Sequence, residues 1–361
     1  MLDTSASGAS AGSMRAASWG GMEGRVVDEP ARCPALRRHL TRRFNRCPQS
    51  TSRTYLRPIF PWYDRAVKIV AMLQTYNEQR FIGECLDHLA EHGISAYLVD
   101  NESTDDTVAV AERRLGKNLI GIETLARYGH FALHSQLVRK EQLAQSLDAD
   151  WLIHLDADEF RASPKQGQSL AQAIAEVDEA GYNAVNFLEF TFVPTREAPD
   201  HDHPDYLQTM RSYYPVLPRF PNRLNAWKHQ DGPVDLSHSG GHKVRFPGLH
   251  LAPGSMYSRH YLFLSVGYAA RKFGPERYAP DEIARGWHSW RSRQTPATIE
   301  LPSEHDLRTY VADHLLDPSD PYKSTARVLG QADPVARRRA LRNRSPRWLK
   351  RAKRRAQRTS S

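Results

Sequence analysis

The sequence predicts an α/β domain with a mainly parallel β-sheet between about Val67 and Phe192. Short apolar runs alternate with amphipathic stretches, which is typical of βαβ units. The first run, VKIVAML, is almost continuously apolar, as expected for a strand buried on both faces. The polar segments TYNE, DNESTDDT and DADEF each follow an expected strand. Because ligands bind at the carboxyl ends of the strands in open sheets, we expect these segments to form a ligand site.

Five strands and four helices are expected in this region. Short apolar runs indicate the strands, and apolar stripes at helical spacing, such as Phe81, Cys85 and Leu89, indicate the helices. The expected strands lie at 67–73, 96–99, 118–122, 151–155 and 184–188, and the expected helices lie at 77–92, 105–115, 134–147 and 170–180.

Beyond Phe192 the periodic pattern weakens. Residues 194–250 are rich in Pro, His, Asp, Arg and Gly, and we expect them to form an irregular lid. Two further helices are expected, at Tyr261–Phe273 and at Glu304–Leu316.

The formal net charge of +9 is concentrated near the end of the chain. Twelve Lys and Arg and no Asp or Glu lie between Arg337 and Arg358, so the rest of the chain sums to −3. This pattern fits an appended basic arm better than a basic binding groove. Anionic lipid and nucleic acid would both attract the arm electrostatically, and the alternative is a solvated, disordered terminus. Recognition of a specific nucleic acid is not expected. We therefore expect three parts: residues 1–60, disordered or loosely attached; 61–330, the folded domain; and 331–361, a disordered basic tail.

Cysteine usage and hydropathy predict the compartment. The three cysteines are too few and too scattered for a disulfide framework, which favours a reducing environment. No apolar run approaches the roughly 20 residues that span a bilayer, and the N-terminus lacks the apolar region of a secretory signal. A cytoplasmic location is expected, with peripheral contact at the inner membrane face through the tail.

Asp156 and Asp158 are the clearest candidates for binding a metal. They directly follow the apolar run WLIHL, so both carboxylates should emerge at the carboxyl edge of the sheet. Two hard oxygen ligands there can hold Mg²⁺ or Mn²⁺, while the phosphates of a substrate complete the coordination shell. The alternative is a solvated acidic turn.

Candidates for binding a nucleoside follow the first two strands. Thr75, Tyr76 and Glu78 come after the first strand, where backbone and short side chains can bind a base and ribose. Asp100 ends the second strand beside Asn101, and its carboxylate could accept a bond from a pyrimidine N–H or a ribose hydroxyl. Alternatively, Glu78 is a first-turn helix residue, and Asp100 forms a turn that leads into the next helix.

The segments VKIVAMLQTYNE, YLVDNESTDDT and WLIHLDADEF resemble the three signature segments of family 2 glycosyltransferases with the GT-A fold. DADEF followed by a later GGH and HY is similar to a bacterial subgroup, and the resemblance covers about residues 67–275. It implies two abutting Rossmann-like halves, an acceptor-side C-terminal region, a nucleotide-sugar donor (most often a UDP-sugar) and inversion at the anomeric carbon.

The resemblance also implies roles for single residues. Thr75, Glu78 and Asp100 would contact the nucleoside, Asp156 would lie near the ribose and the metal, and Asp158 would ligate the metal. Arg139 would lie near the nucleotide, although it could equally be a surface residue of its helix.

The sequence departs from the family in lacking a clear Glu-Asp pair for the general base. Glu189 is one candidate, although a strand residue there could instead face solvent or an arginine. Asp231 and Asp235 are loop alternatives. His242 and His260 match the later histidines of the subgroup: His242 is a candidate for catalysis and His260 for the metal shell, although most histidines are surface or packing residues.

Together these patterns predict a metal-dependent, inverting transfer of a sugar to a glycan, a lipid-linked acceptor or another hydroxyl. Two alternatives remain open from the sequence. One is a nucleotidyltransferase, which would release pyrophosphate instead of a nucleoside diphosphate. The other is a non-catalytic envelope or nucleic-acid binding protein, against which the intact TYNE, DNESTDDT and DADEF segments argue.

Overall fold

The computed structural model of this protein describes residues 67–216, 221–274, 277–288 and 291–321. The disordered or loosely attached segment expected at 1–60 and the basic tail expected at 331–361 lie outside these described residues. Within them, no helix is both long enough and apolar enough to cross a bilayer.

Ten strands and seven α-helices are assigned within the described residues. The strands are β1 Ile69–Thr75, β2 Ser95–Asp100, β3 Leu119–Thr124, β4 Trp151–Asp156, β5 Glu159–Ala162, β6 Ala184–Phe192, β7 Ser212–Pro215, β8 Arg223–Lys228, β9 Leu251–Tyr261 and β10 Arg308–Thr309. The helices are α1 Ile82–Glu91, α2 Thr107–Glu112, α3 Leu133–Ser146, α4 Leu170–Glu179, α5 Tyr206–Thr209, α6 Val266–Lys272 and α7 Pro280–Ala284.

The strands form one mixed sheet in the order β10-β7-β6-β8-β4-β1-β2-β3. Strands β4, β1, β2 and β3 are parallel neighbours, and the helices α1, α2 and α3 connect them along the chain. Strand β8 lies antiparallel between β4 and β6, and β9 pairs with both β5 and β6. The predicted α/β fold with a mainly parallel central sheet is confirmed.

Strand β1 is buried on both faces, as its apolar run predicts. Ile69, Ala71 and Leu73 belong to one apolar cluster, and the alternate residues Val70 and Met72 belong to a second cluster. Because successive side chains of a strand point to opposite faces, the sheet separates two apolar layers.

The register of the sheet aligns the polar strand ends. Thr75, the last residue of β1, pairs with Asp100 at the end of β2. On the other side of β1, Gln74 pairs with Asp156 at the end of β4. The polar segments therefore meet at the carboxyl edge of the central strands, where the sequence placed a ligand site.

The expectation of an irregular lid over residues 194–250 is wrong in one main respect. This stretch contains β8, whose buried residues Leu224 and Trp227 lie inside the sheet. An antiparallel strand of six residues gives only a short apolar run, and its place between β4 and β6 depends on pairing with distant residues.

The two C-terminal helices also differ from expectation. Strand β9 continues to Tyr261, and the helix α6 begins only at Val266, after Ser265, whose hydroxyl accepts a bond from the Tyr268 N–H. Residues 304–316 form short 3₁₀ turns around β10, not a helix. Pairing of Arg308 with Tyr213 of β7 holds this segment extended, so tertiary contacts override its helical apolar spacing.

Candidate active site

A cavity of about 510 Å³ opens at the carboxyl ends of β1 and β4, and α6 forms part of its wall. It brings together six of the residues that the sequence analysis selected. These are Thr75, Tyr76, Glu78, Asp156, Asp158 and His260. The other seven candidates do not line it: Asp100, Asn101, Arg139, Glu189, His242 and the loop alternatives Asp231 and Asp235.

Two buried oxygen atoms beside the cavity have no hydrogen-bond partner in the structure. They are Oδ1 of Asp156 and Oε1 of Gln74, which belong to residues that are neighbours in the register of β4 and β1. Burial, reinforced by the nearby Glu159, raises the pKa of Asp156. A buried acceptor without a donor is costly, so both oxygens are candidates to bind a ligand in the cavity.

Asp158 is held between two cationic groups. Its Oδ2 accepts a bond from Lys272 Nζ at 2.7 Å and lies 3.6 Å from His260 Nε2. Burial alone would raise the pKa of this carboxyl, but Lys272 and His260 together hold the pKa well below its ordinary value. Asp158 is therefore an anion at neutral pH.

Glu78 reaches the same cluster from the other side. Its Oε1 lies 3.4 Å from Lys272 Nζ, and its Oε2 accepts a bond from the Tyr268 hydroxyl at 3.3 Å. Burial raises the pKa of Glu78 to about 7 although Lys272 opposes the shift. The Glu78 N–H donates to Thr107 Oγ1, which ties the TYNE segment to the start of α2.

His260 links the cavity to a buried carboxylate behind it. Its Nδ1 lies 2.8 Å from Oε1 of Glu189, while its Nε2 faces Asp158. Burial would lower the pKa of this imidazole, but the two carboxylates raise it to about 9. Many metal-binding histidines donate Nδ1–H to a carboxylate and bind the metal through Nε2. His260 has this arrangement, and its Nε2 could bind a metal after it loses its proton.

The Glu189 carboxylate is buried and bonded to Arg223 and His260. Arg223 Nε donates to Glu189 Oε2 at 2.8 Å, and only 2% of Glu189 is exposed. Arg223 and His260 hold the pKa of this carboxyl well below its ordinary value although burial opposes them. Two interpretations of Glu189 were open: a general base that reaches the acceptor, or a strand residue that faces an arginine. The structure fits the second one better.

His242 is exposed and bonded to the same arginine. Its Nδ1 accepts from Arg223 Nη1 at 2.7 Å, and the charge of Arg223 lowers the pKa of the imidazole to about 3. The preceding Gly241 has a φ of +82°, and a Cβ added there would lie 2.6 Å from His154 Nε2. The local backbone and packing therefore require glycine at position 241, whatever the role of His242.

Asp100 and Asn101 support the cavity from outside its lining. Asp100 accepts bonds from Thr75 Oγ1 at 2.9 Å and from the Ser103 N–H at 2.8 Å, so it forms the turn after β2. Asn101 Oδ1 accepts a bond from Gln136 Nε2 at 3.1 Å, which fixes a side chain of the cavity wall.

The structure does not bring Arg139 to the cavity. Its guanidinium forms two bonds of 2.6 and 2.7 Å with Glu123, the acidic residue of the edge strand β3. This matches the alternative of a surface helix residue. Arg127 lies at the cavity instead, with its guanidinium carbon 3.4 Å from the ring centroid of Tyr76.

Sequence analysis missed Lys272, Tyr268 and Arg127. Tyr268 and Lys272 are four residues apart in α6, so they project from one face of the helix toward Glu78. That spacing places the two side chains on one face of a helix, but it does not show which residues this face contacts. Nothing in its local sequence distinguishes Arg127 from a surface arginine.

The cavity offers only part of a coordination shell for a divalent metal. Among the described residues, no three His, Cys, Asp or Glu side chains are grouped so that they could hold a metal by themselves. Magnesium, however, is commonly bound by one or two carboxylates together with substrate phosphates. The unpartnered Asp156 Oδ1 and Gln74 Oε1, with anionic Asp158 close by, fit a cation of that kind.

Residues 71–215 match the family model described as glycosyl transferase family 2. Two curated relatives are similar over 93 residues: an uncharacterized glycosyltransferase of Rickettsia felis with 36% identity, and one of Rickettsia conorii with 33%. Each alignment covers 26% of this chain and 29% of the relative. The chain therefore matches less than a third of the length of these relatives.

Solved structures that match part of this chain include S. aureus TarS residues 1–349 in complex with UDP-GlcNAc. It has a TM-score of 0.32 and 14% identity, and the match covers 53% of this chain and 58% of that one. Glucosyl-3-phosphoglycerate synthase from Mycobacterium tuberculosis, in complex with Mn²⁺, UDP and glucosyl-3-phosphoglycerate, has a TM-score of 0.22 and 15% identity. That match covers 34% of this chain and 44% of the synthase.

Proposed function

We propose that this chain, whose residues 71–215 match the family model of glycosyl transferase family 2, transfers a sugar from a nucleotide-sugar donor to a hydroxyl group of a glycan, a lipid-linked molecule or another acceptor. The observation that carries the proposal is the pair of buried, unpartnered oxygens of Asp156 and Gln74 at the cavity. They lie at the carboxyl edge of the parallel strands, where open α/β sheets bind their ligands.

We propose that Asp156 and Asp158 hold Mg²⁺ or Mn²⁺ and that His260 adds Nε2 to the shell. A divalent cation, when bound, neutralises the negative charge that develops on a leaving diphosphate. The support from this chain is the free Oδ1 of Asp156, the low pKa of Asp158 and the bond between His260 Nδ1 and Glu189.

The nucleoside of the donor would bind along the ends of β1 and β2. Tyr76 offers an aromatic face that Arg127 already covers on one side, and Thr75 offers its backbone at the strand end. Because Asp100 holds Thr75 and the following turn, it would shape this pocket even without touching the ligand. A UDP-sugar is the first donor class to test.

The catalytic roles predicted for Glu189 and His242 find less support. Neither side chain lines the cavity, and Arg223 binds both. We propose instead that Glu189 orients His260 and that His242 helps to fix Arg223. The acceptor hydroxyl would then lose its proton to a different group, and attack on the face opposite the diphosphate would invert the anomeric centre.

A donor panel tests the proposal. Thermal shifts should be recorded with UDP-, GDP-, ADP- and dTDP-sugars in the presence of Mn²⁺, and any donor that stabilises the protein should then be incubated with candidate acceptors. Release of a nucleoside diphosphate is expected. Release of pyrophosphate would identify a nucleotidyltransferase, and the absence of any stabilising nucleotide would contradict the proposal.

A further inference from the structure

The side-chain nitrogen of Lys272 lies within 4 Å of two carboxylates that line the cavity. Its Nζ lies 2.7 Å from Asp158 Oδ2 and 3.4 Å from Glu78 Oε1. The same nitrogen lies over the rings of Phe81 and Tyr268, at 5.2 and 5.8 Å from their centroids. The ammonium group is therefore held in place from several directions.

We infer that Lys272 makes the binding of a divalent cation depend on the diphosphate of the donor. This inference rests on the proposed function, because it assumes that the cavity takes a metal together with a diphosphate. In this inference Lys272 does not bind the metal; its charge controls when the neighbouring carboxylates can bind it.

Without a diphosphate, Asp158 and Lys272 form an ion pair in the cavity. Asp158 needs a positive partner because a buried carboxylate without one is costly, and Lys272 supplies that charge. A divalent cation that enters alone meets a carboxylate already bonded to an ammonium group, and it is repelled by that group at close range. The ammonium therefore weakens the binding of free metal.

A diphosphate changes the balance of charge around Lys272. An ammonium group has three N–H donors; Asp158 accepts a bond from one of them, and Glu78 Oε1 lies 3.4 Å from the nitrogen. A diphosphate brings negative charge that both the metal and Lys272 attract, so the repulsion between the two cations is offset when it is present. The same ammonium thus opposes free metal and favours a metal together with a diphosphate.

Binding of Mn²⁺ to the full-length protein tests the inference, measured by isothermal titration calorimetry without nucleotide and with saturating UDP. Lys272→Met removes the charge but keeps an apolar stem and adds no oxygen ligand. Lys272→Arg keeps the charge. Arg271→Met is the matched control, because it removes one charge from the same helix, where Arg271 pairs with Asp202 instead.

Without nucleotide, Lys272→Met should bind Mn²⁺ roughly tenfold more tightly than the wild type, since a neighbouring positive charge is gone. UDP should then improve Mn²⁺ affinity less in this variant than in the wild type. Lys272→Arg should resemble the wild type, and Arg271→Met should change the nucleotide-free affinity less than about twofold because its charge is exposed.

Unchanged nucleotide-free affinity in a folded Lys272→Met protein would overturn the inference, and so would an equal gain in Arg271→Met. Thermal denaturation establishes whether each variant is folded. A wild-type protein that binds Mn²⁺ but no nucleoside diphosphate would contradict the proposed function instead. In that case the nucleotide-free comparison still decides whether Lys272 opposes the metal.

Discussion

Charges of alternating sign run from the cavity into the interior of the domain. Each member of the series lies within 4 Å of the next, and most are almost fully buried. Each member between the two ends has an oppositely charged partner on either side, so loss of one charge leaves each of its neighbours with one partner fewer. The series is Arg161, Glu159, Arg223, Glu189, His260, Asp158, Lys272 and Glu78.

His260 should make stability depend on pH. Its folded-state pKa is raised to about 9, so the charged imidazole stabilises the metal-free protein fully below the unfolded pKa of about 6.5, and this contribution is lost as the pH rises through 9. The contribution is on the order of 3 kcal/mol. Urea denaturation in chelator at pH 6 and pH 10 should show the loss in the wild type.

His260→Gln is the control for that measurement. It should be less stable than the wild type at pH 6, and the difference between the two proteins should shrink by pH 10. A difference that stays constant over this range would show that His260 contributes packing and hydrogen bonds but no charge.

Asp158→Asn should abolish turnover and leave the fold intact. The amide keeps the shape of the side chain, and Lys272 retains Glu78 as a counter-ion. The lost negative charge removes the ligand on which the proposed metal depends. Product formation and circular dichroism should be measured together, and activity close to that of the wild type would contradict the role assigned to Asp158.

Asp100→Ala should destabilise the protein by about 1–3 kcal/mol, because the buried donors of Thr75 and Ser103 lose their acceptor. Any loss of donor affinity should follow from the altered turn. Denaturant unfolding and calorimetric UDP binding separate the two effects. Unchanged stability with weakened UDP binding would show that Asp100 contacts the nucleoside directly.

At the scale of elements, the central strands were predictable and the inserted ones were not. The sequence predicts strand β1 because a strand that is buried on both faces must be apolar almost throughout. Strand β8 has only the short apolar run LNAW, and its neighbours β4 and β6 are set by long-range pairing. A short apolar run does not specify its partners, so β8 was mistaken for part of a lid.

The residues of the candidate site also include some that the sequence predicts and others that it does not. The carboxylates at the ends of β1 and β4 were predictable, since topology fixes which strand ends meet. Lys272 was not, because it approaches Asp158 from 114 residues away along the chain. Glu189 was located on the correct strand, but the side-chain partners that use its carboxylate could not be derived from spacing.

The GGH loop provides a prediction at this scale. Gly241→Ala should destabilise the protein by roughly 1–3 kcal/mol, because alanine is strained at a φ of +82° and its Cβ would collide with the buried His154 ring. Gly232→Ala is the matched control, since no atom lies within 4 Å of an added Cβ there. Comparable unfolding midpoints for the two variants would refute this account.

For the whole molecule, the basic segment offers the remaining prediction. Deleting residues 337–361 should preserve donor hydrolysis and remove salt-sensitive binding to anionic liposomes, because the rest of the chain carries a net charge of −3. Each Lys or Arg near an anionic surface contributes about 1 kcal/mol. Co-sedimentation at low and high salt measures this, and equal binding by both proteins would exclude the segment as a membrane tether.

The position of β8 has a practical consequence for anyone who wishes to shorten this protein. The family match ends at residue 215, and a fragment cut there would contain all three motif segments. It would nevertheless lack the strand between β4 and β6, leaving both with unpaired backbone groups, and it would lack His260 and Lys272. Such a fragment should aggregate when expressed alone and recover a soluble fold only by complementation with a second fragment that supplies residues 216–321.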